Sequence, residues 1–248
     1  MIAAALMIMF FPTPNDFETA FNPVLAKQGF ELRRIRASHS NQHYDIVYMR
    51  AEDGHMFRMN MGRYNDQGKL DEFIATTMRG NGRVYPESSP SGIPMGDHSF
   101  QLSDSTHLVA CADGFSVNMF DSSAERNKKF PDDPRALEAV SRLALGEMIG
   151  GCLKQDGTVA EEVTHTNQHP HTSYAPLSVI AKNSAHFPTV GDWTDRCTIQ
   201  IGIHKLEFAL ASDAVAIDGK WTIIEAFVAR RKGEWMIPTK VLKEKGVL

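Results

Sequence analysis

The chain has 248 residues, 42% of them hydrophobic and 23% charged, a balance that suits a folded protein of one or two domains. Its net charge of −4 leaves no basic excess to neutralise phosphates, which excludes a nucleic-acid binder. No polybasic stretch exists to hold an anionic membrane. Three cysteines, Cys111, Cys152 and Cys197, lie far apart without metal-type spacing, and they read as buried free thiols that neither demand nor exclude an oxidising compartment.

Met1 to Phe11 is an apolar run followed by Pro12-Thr13-Pro14. It is shorter than the roughly 20 residues of a spanning helix. It reads as the apolar region of a secretory signal, within a leader of residues 1–14, or as a buried first strand; no Lys or Arg precedes it. Asn15 or Asp16 caps a predicted helix to about Lys27, with Phe17, Phe21, Val24 and Leu25 on one face. Strands are predicted at Glu31–Ala37, Tyr44–Ala51 and Met56–Arg63, with Asp53-Gly54 turning between the last two. In the third, Arg58, Asn60 and Gly62 alternate with Phe57, Met59 and Met61. A second helix is predicted from Lys69 to Met78.

Tyr85 to Gly96 is loop-rich. After it the arrangement partly recurs. Strands are predicted at Phe100–Leu102, Leu108–Ala112 and Phe115–Phe120, then a helix from Arg135 to about Leu153 with apolar residues at three- and four-residue spacing. Residues 15–153 therefore read as one α+β domain, an antiparallel sheet covered by helices mostly on one face. Residues 154–172 are polar and read as a linker.

The remaining stretch, 173–248, says nearly the same thing at both ends. Tyr174-Ala175-Pro176-Leu177 leads into Ser178-Val179-Ile180, and Met236-Ile237-Pro238-Thr239 leads into Lys240-Val241-Leu242. A proline there suits the first turn of a helix. Between the ends, Asp218-Gly219 is a strong hairpin signal, Ala214–Ile217 alternates as strand faces would, and Lys232-Gly233-Glu234 marks a second turn. Trp193 and Trp235 are expected to close a small core.

With Gly191-Asp192-Trp193, Cys197–Ile201, Ala211-Ser212, Ala214–Lys220 and Gly233–Pro238, these residues resemble the bacterial copper amine oxidase N-terminal domain-like family, also called the stalk domain. That family has Pro-Leu-Arg at both helix starts; here the places read Pro176-Leu177-Ser178 and Pro238-Thr239-Lys240. The resemblance covers the last third of the chain. It implies a small α+β domain with β-hairpins that is non-catalytic, needs no copper or other cofactor, and sits outside the cell or on its surface. Cell-wall polysaccharide or another surface protein is the partner it implies. The chain lacks the Asn-Tyr-Asp/Glu motif of the oxidase's catalytic part. A cytoplasmic protein is the alternative if the N-terminal run is no signal.

Two other functions stay open. His165, His169 and His171, with Glu161 and Glu162 just upstream, have the ligand types for zinc, copper or nickel, or are a solvated His-rich linker. A hydrolase with its site around Gly92–Ser99 would draw on Asp97, His98 and Ser99, although strand neighbours point to opposite faces. His39 and His43 with Asp45 form a possible acid–base group or turn polar residues. Gly92-x-x-x-Gly96 lacks the Lys and Ser/Thr of a phosphate loop, and Gly146-x-x-x-Gly150 reads as helix packing or fraying. Met56, Met59 and Met61 read as core.

Overall fold

A computed structural model describes residues 14–37, 43–63, 72, 75, 91–96, 98–101, 107–112, 115–123, 134–151, 153, 172–184 and 187–248. Nearly all of the stretch read as a leader, most of the predicted second helix and nearly all of the stretch read as a linker lie outside these residues; within that helix, Glu72 and Ala75 are helical.

Helix α1 (Pro14–Lys27) leads into β1 (Phe30–Ala37), β2 (His43–Arg50) and β3 (His55–Arg63). Then come β4 (His98–Gln101), β5 (His107–Ala112), β6 (Phe115–Ser123) and helix α2 (Pro134–Gly151). The six strands make one antiparallel sheet in the order β1-β2-β3-β6-β5-β4. It is two three-stranded meanders joined along β3 and β6, which pair from His55↔Ser123 to Arg63↔Phe115. The recurrence read in the sequence is thus closed into a single sheet.

The alternation predicted for β3 holds from Phe57 to Met61 but not at Gly62. Phe57, Met59 and Met61 are buried, Arg58 is exposed and Asn60 half-buried, while Gly62 is buried too. Tyr44, Ile46 and Tyr48 of β2 are buried on the same side, each beside one of them: Tyr44↔Met61, Ile46↔Met59, Tyr48↔Phe57. Helix α1 lays Ala20, Phe21, Val24 and Leu25 into this core and packs on β1. Tyr48 donates its hydroxyl to Asn22 Oδ1 at 2.8 Å, so its polar tip is satisfied inside the core. Helix α2 packs on β5 and β6. Both helices cover one face, and the fold is α+β.

Helix α2 departs from an ordinary amphipathic helix. Every described side chain from Ala136 to Gly150 is buried, including Glu138, Ser141, Arg142 and Glu147. A helix buried all round has two partners. The second partner is the C-terminal segment, chiefly β13 (Ala229–Arg231).

That segment contains β7 (Tyr174–Pro176), α3 (Leu177–Ile180), β8 (Thr189–Val190), β9 (Arg196–Ile201), β10 (His204–Ala209), β11 (Ala214–Ile217), β12 (Lys220–Ile223), β13, β14 (Glu234–Pro238) and α4 (Lys240–Glu244). Among the described residues none of these strands joins the six-stranded sheet. They form a five-stranded antiparallel sheet, β12-β11-β10-β9-β8, and a three-stranded one, β13-β14-β7. In the latter the two similar ends of the segment lie side by side: Met236↔Pro176, Ile237↔Ala175, Pro238↔Tyr174. Both prolines therefore end strands rather than standing inside a first helical turn. Pro176 is the residue just before α3, and Thr239 separates Pro238 from α4. A residue without an N–H is tolerated where a strand stops, and Thr239 takes over the ladder by donating to Ser173 O at 3.0 Å.

Two further expectations are corrected. Ala214, Val215 and Ala216 are all buried, so β11 does not alternate in burial; it is an interior strand flanked by β10 and β12. Trp235 is buried as expected, but Trp193 reaches the other half of the molecule, meeting Phe57 of β3 edge-on at 6.4 Å. One hydrophobic cluster runs from Phe21 and Met59 through α2 to Phe208, Phe227 and Ile237.

Candidate functional site

Among the described residues the densest chemistry lies where α2 meets the loop 91–96 and the C-terminal strands. Glu138 and Arg142, one helical turn apart, have 0% side-chain exposure and pair at 2.7 Å. Burying charges is costly unless each atom finds a partner. Here they do. Glu138 also accepts Ser91 Oγ at 2.6 Å, Ser91 N–H at 3.0 Å and Arg196 Nη2 at 3.4 Å. Arg142 donates to three backbone carbonyls: Ile93 at 2.6 Å, Pro94 at 2.9 Å and Leu210 at 3.1 Å. The loop is fastened at its far end too, where Gly96 N–H donates to Ala211 O at 2.7 Å.

Burial by itself would raise the Glu138 carboxyl, but Arg142, Ser91 and Arg196 together outweigh it and hold it below the usual carboxylate range. Burial draws the Arg142 guanidinium down, against the pull of Glu138. Because the folded-state carboxyl is depressed, its stabilisation is complete above the unfolded value near pH ~4.3 and is lost as pH falls through the folded one. Asp53 behaves alike: its hydrogen bonds from Arg50 take it to about 2. We expect urea midpoints to drop below about pH 4, and to drop less steeply in Glu138→Gln, measured against wild type between pH 2.5 and 6.

A second buried pair lies about a turn and a half beyond Arg142 on α2. Arg230 Nη1 of β13 stands 3.0 Å from Glu147 Oε1 and donates to Ala20 O of α1 at 3.2 Å. Burial lowers the Arg230 guanidinium, opposed by Glu147. Gly146 and Gly150 stand on either side of Glu147 along α2. A Cβ on Gly146 would lie 3.1 Å from Leu210 Cβ, and one on Gly150 would lie 1.9 Å from Arg230 O. The glycine pair read as helix packing is the seam on which the C-terminal backbone sits.

These groups bind other parts of the chain rather than presenting themselves to a ligand. The loop proposed for a hydrolase serves as a strap across α2. Asp97 lies outside the described residues, and His98 and Ser99 open strand β4, with backbone partners Cys111 and Ala110. Asp45 accepts Arg34 at 2.8 Å and Arg58 at 3.0 Å, a cross-strand anchor that occupies both carboxylate oxygens; His39 is outside the described residues. The candidate ligands His165, His169 and His171 also lie outside them, and no group of three potential metal ligands occurs among the described residues. Cys197 is a buried free thiol, and burial pushes it up to about 12, so it is inert. Cys152 lies outside the described residues.

The sequence reading passed over Glu138, Arg142 and Glu147. The signal was present: acid and base four residues apart, on a stretch with too little polar surface to leave one face wet.

The C-terminal helices are capped from a distance. Glu234 accepts Ser178 N–H of α3 at 3.0 Å, and Glu225 accepts Lys240 and Val241 N–H of α4 at 2.7 and 3.3 Å. A carboxylate there complements the unpaired N–H groups of a first turn. On the surface, Trp221 and Ile223 of β12 are 44% and 64% exposed. No described helix is long and apolar enough to cross a membrane. Comparison with protein-family models, with curated proteins and with solved structures found no match.

Proposed function

We propose that this chain is a non-catalytic bacterial protein, secreted or held at the cell surface, whose C-terminal unit is a stalk-type module used for attachment, spacing or recognition of cell-wall material. The observation that carries the reading is the pairing of the two strands that end in proline. Tyr174–Pro176 and Met236–Pro238 are neighbouring antiparallel strands, each followed by a short helix capped by a distant glutamate. The repeated sequence, and the three-stranded sheet in which its two copies pair, support this reading.

The joint with α2 supports spacing in particular. The Arg142–Leu210 and Arg196–Glu138 contacts, the Arg230–Glu147 pair and a glycine seam tie the C-terminal unit to α2. A spacer needs such stiffness, whereas a flexibly tethered domain does not. The strap formed by residues 91–96 uses for packing the segment that a hydrolase would need for its site.

Two measurements test the proposal. Natively expressed protein should appear in the extracellular or envelope fraction. Purified full-length protein should co-sediment with insoluble cell-wall polysaccharide and be released by soluble wall fragments. Protein confined to the cytosol, with no retention on wall material, overturns it.

A further inference from the structure

We infer that strand β12 is a self-pairing edge: two copies of this chain join antiparallel about a two-fold axis at Thr222, so that two five-stranded sheets become one.

The hydrogen-bond pattern shows which backbone groups face outward. Asp218 and Gly219, with φ of 50° and 79°, form a two-residue turn of the kind that leaves its flanking residues, Ile217 and Lys220, hydrogen-bonded to each other. In an antiparallel ladder this alternates. Lys220 and Thr222 point their N–H and C=O at β11. Ile224 continues the series, donating its N–H to Asp213 O at 2.7 Å. Trp221 and Ile223 therefore direct their backbone groups away from the sheet. The same two residues carry the exposed apolar side chains, both on one face.

Two other outer strands are guarded or too short. β1 has a bulge between Leu32 and Arg34 and bears Arg33, Arg34 and Arg36, the devices that blunt an edge. β8 has two residues. β12 pairs with β11 without a bulge and carries a single charge, Lys220.

An exposed backbone row fits an extended polypeptide, and its side-chain order selects a second copy. Centring the axis on Thr222 sets Trp221 against Ile223 of the other copy, twice, and Thr222 against Thr222. Each Trp–Ile pair exchanges two N–H···O bonds. Aromatic against β-branched, and Thr against Thr, are favoured cross-strand neighbours. Centring on Trp221 or Ile223 instead leaves one of these residues facing the turn or Glu225, which is engaged at the start of α4. The seam is shorter than permanent dimers use, so the association is reversible and concentration-dependent. It stands independently of any recognition of wall material.

The test is disulfide trapping on the full chain. In the inferred register the two Thr222 Cα atoms are about 4.5 Å apart, within disulfide range. Thr222→Cys should give a covalent dimer under mild oxidation, well above the wild-type background from the native cysteines. Lys220→Cys, which would face Ile224 of the other copy, should not. Ile223→Pro keeps every bond to β11 but removes an outward donor from each copy. It should weaken self-association at least tenfold in sedimentation equilibrium. Folded Thr222→Cys that crosslinks no more than wild type, or no more than Lys220→Cys, overturns the inference. Should an unrelated extended peptide occupy the edge, Thr222→Cys would likewise stay monomeric.

Discussion

Replacing Arg142 by methionine is expected to destabilise the protein by about 3–5 kcal/mol, the usual result of removing one member of a buried ion pair. Glu138 would keep its charge at a site with no exposure, held by Ser91 and by Arg196 at 3.4 Å. The carbonyls of Ile93, Pro94 and Leu210 would lose a donor together. That loss is a large share of the ~5–15 kcal/mol that a domain usually has. The double replacement Glu138→Leu with Arg142→Met should cost clearly less than the two single changes summed, because no lone charge is left behind. Chemical denaturation of all three variants reads this directly. A single Arg142→Met change costing under 1 kcal/mol would mean that the buried pair contributes little.

At the glycine seam, Gly150→Ala should destabilise although it raises helix propensity. Alanine for glycine in a helix is favourable by about 0.8–1.0 kcal/mol. Here the new Cβ would lie 1.9 Å from Arg230 O and 2.5 Å from its carbon, both backbone atoms that cannot swing aside. Either β13 moves off α2, straining the Arg230–Glu147 pair, or the helix end bends. We expect a net loss of about 1–3 kcal/mol, as for other overpacked interiors. Gly146→Ala meets only the Leu210 side chain, nearest at 3.1 Å, and should be much closer to neutral. Thermal melts of the two variants separate the effects. Equal melting temperatures would argue against the seam as a close backbone contact.

Much of the order of elements was legible in the residues. Period-two alternation marks β3, because one face of its sheet is buried; apolar spacing marks α2; Asp218-Gly219 marks its hairpin, because few residue types accept positive φ at both turn positions. The likeness of Tyr174–Pro176 to Met236–Pro238 was also plain, though not that the two strands touch. Local signals extend only a few residues along the chain. They say nothing about which surface an element will meet.

What only the tertiary structure decided is therefore what lies between elements. α2 read as a one-faced helix became a helix with no wet side, because the C-terminal unit closes over it. Glu138, Arg142 and Glu147, which the sequence reading passed over, are buried fasteners. Trp193 packs on Phe57, some 136 positions earlier in the chain, rather than within its own segment. The sequence by itself determined the periodicities, turns and breaks, since these follow from each residue's own conformational and solvation preferences. The docking of the two halves depends on contacts between residues far apart in the chain, and those preferences do not encode which distant partner a residue meets.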